Sequence, residues 1–257
     1  MRRLLMILLA AGGFAAAVRA ETPLAPAGAL RAVYLAGNPA QAIRNVSTGE
    51  IKGASADLAR EIAKRHKVEL SLKGLGSPAA VIEAVKSGEA DIGFVAPNNE
   101  RTGVAFTQAY MLVQQSFLVK ETSDIKSVAD IDKPNRVIGA NNGDSVAVYL
   151  KSWLKQATLK ENADFTLQEP VKQLNDGTLD AFAANRQRLG AALRGAKGLR
   201  MLPDNLYGVP QTIAISLDKP EALAALDKII DELRASGFIK SAIDASGVDG
   251  VIVAPGK

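Results

Sequence analysis

Two short polar turns carry side chains suited to hold a small polar molecule. Asn98-Asn99-Glu100-Arg101 follows an apolar run that starts at Asp91 and reaches Ala96, and Asn185-Arg186 follows the run Leu179 to Ala184. Both turns are reached in the same way. In VIEAVKSGEADIGFVAPN a helix ends at Gly88, a strand starts at Asp91 and Asn98 opens the turn; in VKQLNDGTLDAFAAN those places are held by Gly177, Asp180 and Asn185. Ligands of open α/β sheets bind beyond the carboxyl ends of the strands, so each repeat would present its turn to a crevice. G-x-x-D is also a common helix-stop and strand-start pattern, and by itself it admits a purely structural reading. A third polar turn, Gly143-Asp144-Ser145, precedes a helix beginning near Val146. Free backbone N–H groups and the Ser145 hydroxyl could meet a carboxylate there, or Asp144 and Ser145 could serve only as helix caps.

Other chemistry is excluded by composition. The chain has no cysteine, which removes zinc-thiolate sites, iron–sulfur clusters, disulfides and a cysteine nucleophile together. Its one histidine, His66, sits in Lys64-Arg65-His66-Lys67 at a helix end and reads as part of a solvated face, which disfavours transition-metal sites and a Ser-His-Asp triad. No clustered acids form a Mg²⁺ or Ca²⁺ loop, so neither metal nor cofactor is expected. Gly74-Leu75-Gly76-Ser77-Pro78-Ala79 formally fits a nucleotide-binding turn, but Pro78 and the lack of an acidic residue ending the next strand argue against it. Trp153, Tyr149 and Leu150 share one helix and read as packing.

Arg2-Arg3, the apolar run Leu4 to Ala17 and Val18-Arg19-Ala20 have the layout of a secretory signal peptide over residues 1–20. The run is shorter than the roughly 20 residues of a bilayer span. Cleavage after Ala20 removes three arginines, taking the basic count from 31 to 28 against 27 acidic residues and the net charge from +4 to +1. With no basic stripe interleaved with aromatics, nucleic-acid binding loses its electrostatic basis. An exported chain without disulfides or a lipid-anchoring cysteine is expected free in the periplasm, as a monomer.

Positioning those turns requires an α/β fold. Residues 21–28, with Pro23 and Pro26, read as a flexible leader. Leu30 to Ala36 is predicted as a strand, Ser55 to His66 as a helix, Val68 to Leu72 as a strand, Pro78 to Gly88 as a helix and Asp91 to Ala96 as a nearly continuous apolar strand. Such alternation calls for a mostly parallel sheet covered by helices. A second series runs from strand Arg136 to Ala140 through helices Val146 to Gln156 and Pro170 to Asn175, strand Leu179 to Ala184 and helix Gln187 to Arg194 to strand Leu199 to Leu202. The extended stretch Gln114 to Lys120 and the turn-rich segment Pro203 to Pro210 read as two crossings between lobes. Strand Gln211 to Ser216 and helices Pro220 to Ala235 and Phe238 to Ala245 follow. The expected division is a discontinuous lobe of residues 29–119 plus 210–257 and an inserted lobe of residues 120–209.

Four segments in this order, GASADLAREIAKRHKVEL, VKSGEADIGFVAPNNERTGVAFTQAYM, NRVIGANNGDSVAVYL and LNDGTLDAFAANRQRL, resemble the bacterial periplasmic solute-binding proteins of amino-acid-type ABC importers, family 3. The resemblance covers nearly the whole chain after the signal. It implies the two-lobe, type II periplasmic binding protein fold, with two hinge crossings, and capture of a small carboxylate-bearing metabolite, an amino acid or a simple organic acid, for a membrane permease. The family's arginine at the place of Arg101 grips the ligand's carboxylate, a task suited to the planar two-donor fork of a guanidinium. The Ser145 turn would meet the same carboxylate from the other lobe.

Three departures bear on the ligand. Amino-acid receptors of the family usually carry an aspartate for the ligand's ammonium where this chain has Asn185, whose alternative reading is a cap of the following helix. Ala96 and Pro97 stand where hydroxyl residues often help hold that ammonium. The aromatic that often stacks on the ligand is replaced by Asn38-Pro39-Ala40. The resemblance also admits an enzyme on the same fold, a cyclic-acid dehydratase, with Glu100 or Glu169 as general acid.

Overall fold

The computed structural model describes residues 23–25, 27–36, 38–99, 101–142, 144–162 and 168–256; the expected signal segment lies outside them. The first half comprises β1 (Ala29–Leu35), the short hairpin β2 (Ile43–Arg44) and β3 (Ile51–Lys52), α1 (Ala54–Arg65), β4 (Glu69–Leu75), α2 (Pro78–Lys86), β5 (Ile92–Val95) and β6 (Val104–Phe106). The long strand β7 (Met111–Lys120) leads into β8 (Val137–Asn141), α3 (Ser145–Trp153), β9 (Thr158–Asn162), α4 (Gln168–Asp176), β10 (Ala181–Asn185), α5 (Arg186–Gly195) and β11 (Leu199–Met201). A second long strand, β12 (Tyr207–Ser216), returns to α6 (Pro220–Ala235), α7 (Phe238–Ser246) and β13 (Val251–Val253). No helix among the described residues is long and apolar enough to cross a membrane.

Local chemistry sets these boundaries. Ser77 caps α2 by accepting from the Ala80 N–H at 3.2 Å, Pro78 occupies the first turn, and Gly88 follows its end at φ +75°. Helix α1 buries Leu58, Ala59, Ile62 and Ala63 on one face, as its spacing predicts.

Apart from the separate β2–β3 hairpin, the described strands form one curled sheet in the order β4-β1-β5-β12-β7-β10-β8-β9, with β6 added to β12 and β11 and β13 to β7. β4, β1 and β5 are mutually parallel, as are β10, β8 and β9; β12 and β7 run antiparallel to their neighbours in the order. Separate cores support the two ends: Leu30, Tyr34, Ile62 and Phe94 in one, and Phe117, Ile138, Val146 and Leu150 in the other. Each such buried Leu, Ile or Phe contributes roughly 1.5–3 kcal/mol.

The repeated G-x-x-D has a structural role in both lobes. Asp91 donates its N–H to the Arg31 carbonyl at 2.8 Å and accepts the Arg31 N–H on Oδ2 at 2.9 Å. Asp180 does the same to Val137, at 2.9 and 2.7 Å. Each aspartate locks the start of its strand to the strand beside it, at the end away from the polar turn. Asp91 is buried and also receives the Arg31 guanidinium through Nε at 3.1 Å and Nη2 at 2.7 Å.

Two features differ from expectation. The leader is not loose throughout: Leu24 and Ala25 are buried in the core that also holds Leu30. The turn formers Tyr207 to Pro210 lie within β12; there β12 pairs with β7 alone, so as an edge it tolerates the missing N–H of Pro210. The hinge-like segments are thus the interiors of two strands. β7 exchanges partners at Gln115, pairing with β12 over Met111–Gln115 and with β10 over Gln115–Val119.

Candidate functional site

Strand register brings the polar turns face to face. Val95, ending β5, pairs with Thr212 of β12; Asn185, ending β10, pairs with Gln115 of β7, which in turn pairs with Tyr207 of β12. β5 and β10 therefore point toward each other along the shared strands. The interval on β12 from Thr212 to Tyr207 spans about 16 Å at roughly 3.3 Å per residue. The carboxyl ends of two parallel sheets thus border one gap, with Tyr207 to Gln211 along its base.

On the first lobe the turn after β5 is self-bonded. The Arg101 N–H donates to the Asn98 carbonyl at 3.0 Å, and its Nη1 donates to the Ala96 carbonyl. Ala96 and Arg101 are half-buried, whereas Asn98 is exposed. The three predicted residues of this lobe are therefore one unit, in which the backbone of the strand end positions the guanidinium.

On the second lobe the ends of β8 and β10, which are parallel neighbours, bring Asp144, Ser145 and Asn185 together. Asn185 caps α5: its Oδ1 accepts the Arg188 N–H at 2.9 Å. Asp144 occupies the cap position of α3 but makes no side-chain cap bond. Its Oδ2 instead accepts Nη1 of Arg188 at 2.8 Å, and the Asn141 side chain also hydrogen-bonds it. Burial pushes the Asp144 carboxyl above its ordinary pKa, outweighing the opposing effects of Arg188 and Asn141.

Ser145 is exposed, and its hydroxyl hydrogen-bonds the phenol of Tyr207. Burial pushes that phenol up to about 12 against the lowering effect of Ser145. The Tyr207 ring stacks on Tyr149 of α3 with centroids 4.1 Å apart and planes 14° apart, and it packs against the cores of both lobes. Tyr207 therefore joins the start of α3 to a strand shared by both lobes.

Tyr149 packs, as its helix face predicts, here against Tyr207. Two residues of the site are not legible in the sequence: Tyr207 reads as part of a turn, and Arg188 stands out only through the repeat, since Arg101 lies three residues after Asn98 and Arg188 three after Asn185. Of the two acids considered for catalysis, Glu169 accepts the side-chain amide of Gln173 at 2.9 Å within α4, and Glu100 lies outside the described residues. Arg186 turns away to bond Asp249 at 3.2 Å, Asn205 at 3.1 Å and the Leu202 carbonyl at 3.3 Å.

Comparison with known proteins agrees with the two-lobe fold. A glutamine-binding protein from Geobacillus stearothermophilus is 27% identical over 177 residues, which is 66% of each chain. An ABC transporter glutamine-binding protein from Bacillus subtilis is 24% identical over 201 residues, 76% of this chain and 72% of its own. Among solved structures, a binding component of an ABC transporter from Wolinella succinogenes, complexed with lysine, is similar with a TM-score of 0.66 and 26% identity, over 84% of this chain and 94% of that one. The shared architecture is the two-lobe type II fold. Residues 30–245, from the first strand of one lobe to the last helix, match a single family, so the two-lobe body as a whole belongs to the bacterial extracellular solute-binding proteins, family 3.

Proposed function

We propose that this protein captures an amino acid in the gap between its lobes and presents it to the membrane permease of an ABC importer. The observation that carries the reading is the opposition of the β5 and β10 ends, which gives one small molecule access to polar groups from both lobes. Relatives that bind glutamine or lysine support the ligand class, since both ligands carry an α-carboxylate and an α-ammonium. In this reading Arg101 grips the carboxylate, aided by the start of α3 at Ser145, and Asn98 and Ala96 shape the turn that aims the guanidinium. The lobes are residues 29–119 with 210–257 and residues 120–209, and the bend lies in the strands they share. The protein acts as a periplasmic monomer and carries out no catalysis. Titration calorimetry with the proteinogenic L-amino acids should find at least one that saturates with one molecule per chain. Heat only from simple carboxylates would move the ligand class to organic acids, and turnover of a cyclic acid would replace binding by catalysis.

A further inference from the structure

Resting on that reading, we propose that Arg186 and Gln187 at the start of α5 and the turn Asp249–Gly250 form a latch outside the ligand site, which favours closure of the lobes and so sets how tightly every ligand is held. The turn is tied to the first lobe: the Gly250 carbonyl accepts the Gln114 N–H at 2.8 Å, β13 pairs with Met111–Val113 of β7, and Val251 shares a core with Leu30. Leu189 of α5 instead shares a core with Leu118 and Phe182. β12 occupies one edge of β7 over Met111–Gln115, so β13 and β10 lie end to end along the other edge. The turn before β13 therefore abuts the carboxyl end of β10, which borders the gap. Three contacts join the two. Nε of Arg186 donates to Oδ2 of Asp249 at 3.2 Å, and Nε2 of Gln187 donates to the Asp249 carbonyl. The Arg186 chain lies against Gly250, where a Cβ would come within 2.6 Å of the Arg186 Cβ; with φ at +69°, glycine suits both the backbone and the approach. Arg186 is also fixed from its own side by Asn205 and the Leu202 carbonyl, so its guanidinium is held ready for Asp249. Opening the lobes about Gln115 draws Arg186 away from Asp249, whereas closure keeps the pair together. A bond made in the closed arrangement shifts the equilibrium toward it, and one that touches no ligand does so by the same factor for all of them. The turn lies beyond residues 30–245, so the family match assigns it no role.

The test uses Asp249→Ala and the charge reversal Asp249→Lys. The Asp249 side chain is 70% exposed, so both variants should stay folded, which unchanged circular dichroism checks. The chain has no cysteine, so Ser47→Cys and Ser152→Cys, both exposed, place one fluorophore on each lobe for energy transfer. Without ligand, transfer should fall in Asp249→Ala and fall further in Asp249→Lys. Calorimetry with the proteinogenic L-amino acids should show affinity roughly twofold to fivefold weaker in Asp249→Ala, the range of an exposed ion pair, by one common factor for each amino acid that binds. Unchanged transfer, or losses that differ from one amino acid to the next, would overturn the latch. The two readings separate cleanly. If no amino acid binds wild type while transfer still falls in the variants, capture fails and the latch stands; if amino acids bind but neither variant alters transfer, only the latch fails.

Discussion

Arg101→Ala should abolish amino-acid binding while the protein stays folded. The side chain is half-buried, and its bond to the Ala96 carbonyl shapes the turn. The bond from the Arg101 N–H to the Asn98 carbonyl is backbone to backbone and survives the substitution, so the turn should persist. What disappears is the guanidinium, and removing one partner of a desolvated, hydrogen-bonded charge pair costs about 2–5 kcal/mol of binding. Affinity should fall by two to three orders of magnitude on a roughly 3–4 kcal/mol loss. Calorimetry with the best ligand of the wild type reads this directly; unchanged affinity would remove Arg101 from the site.

The second large effect concerns stability rather than binding. Asp91→Ala removes a buried carboxylate that accepts one backbone N–H and two guanidinium N–H groups of Arg31. The Arg31 side chain is 37% exposed, so its charge regains some water, which reduces the usual 3–5 kcal/mol for breaking a buried pair to about 2–4 kcal/mol. Asp180→Ala deletes the matching clamp, but Asp180 is only half-buried and the structure gives it one such backbone bond, so about 1 kcal/mol is expected. Urea unfolding of both variants should rank them in that order. A larger loss at Asp180 would mean that the clamp in the second lobe matters more than burial and bond number imply.

These aspartates also show what the sequence makes legible. The repeat around Gly88-Asp91 and Gly177-Asp180 marked the strand starts, because a backbone lock of this kind leaves a short local pattern. The polar turns at the other strand ends were legible for the same reason. Asn185 was correctly allowed a capping role, since a cap depends only on its own helix. What depended on distant pairing was hidden. Pro210 looked like a turn former because nothing in its neighbourhood reveals that β12 is an edge there. Tyr207 gains its role only through α3, some sixty positions earlier in the chain, and the Asp144–Arg188 pair joins residues from two strand ends. The resemblance supplied the role proposed for Arg101; the register of β12 and β7 supplied the gap bordered by the strand end it follows.

The central claim is that one ligand bridges both lobes, which requires that it favour a closed arrangement. A ligand shifts an equilibrium only by its differential affinity for the two states, and contacts to Arg101 and to the start of α3 can be made together only when the strand ends approach. Small-angle scattering with and without the saturating amino acid is the most direct measurement. The radius of gyration should fall on binding in wild type, and should not change in Arg101→Ala at the same ligand concentration. Identical profiles for free and saturated wild type would contradict closure around a shared ligand.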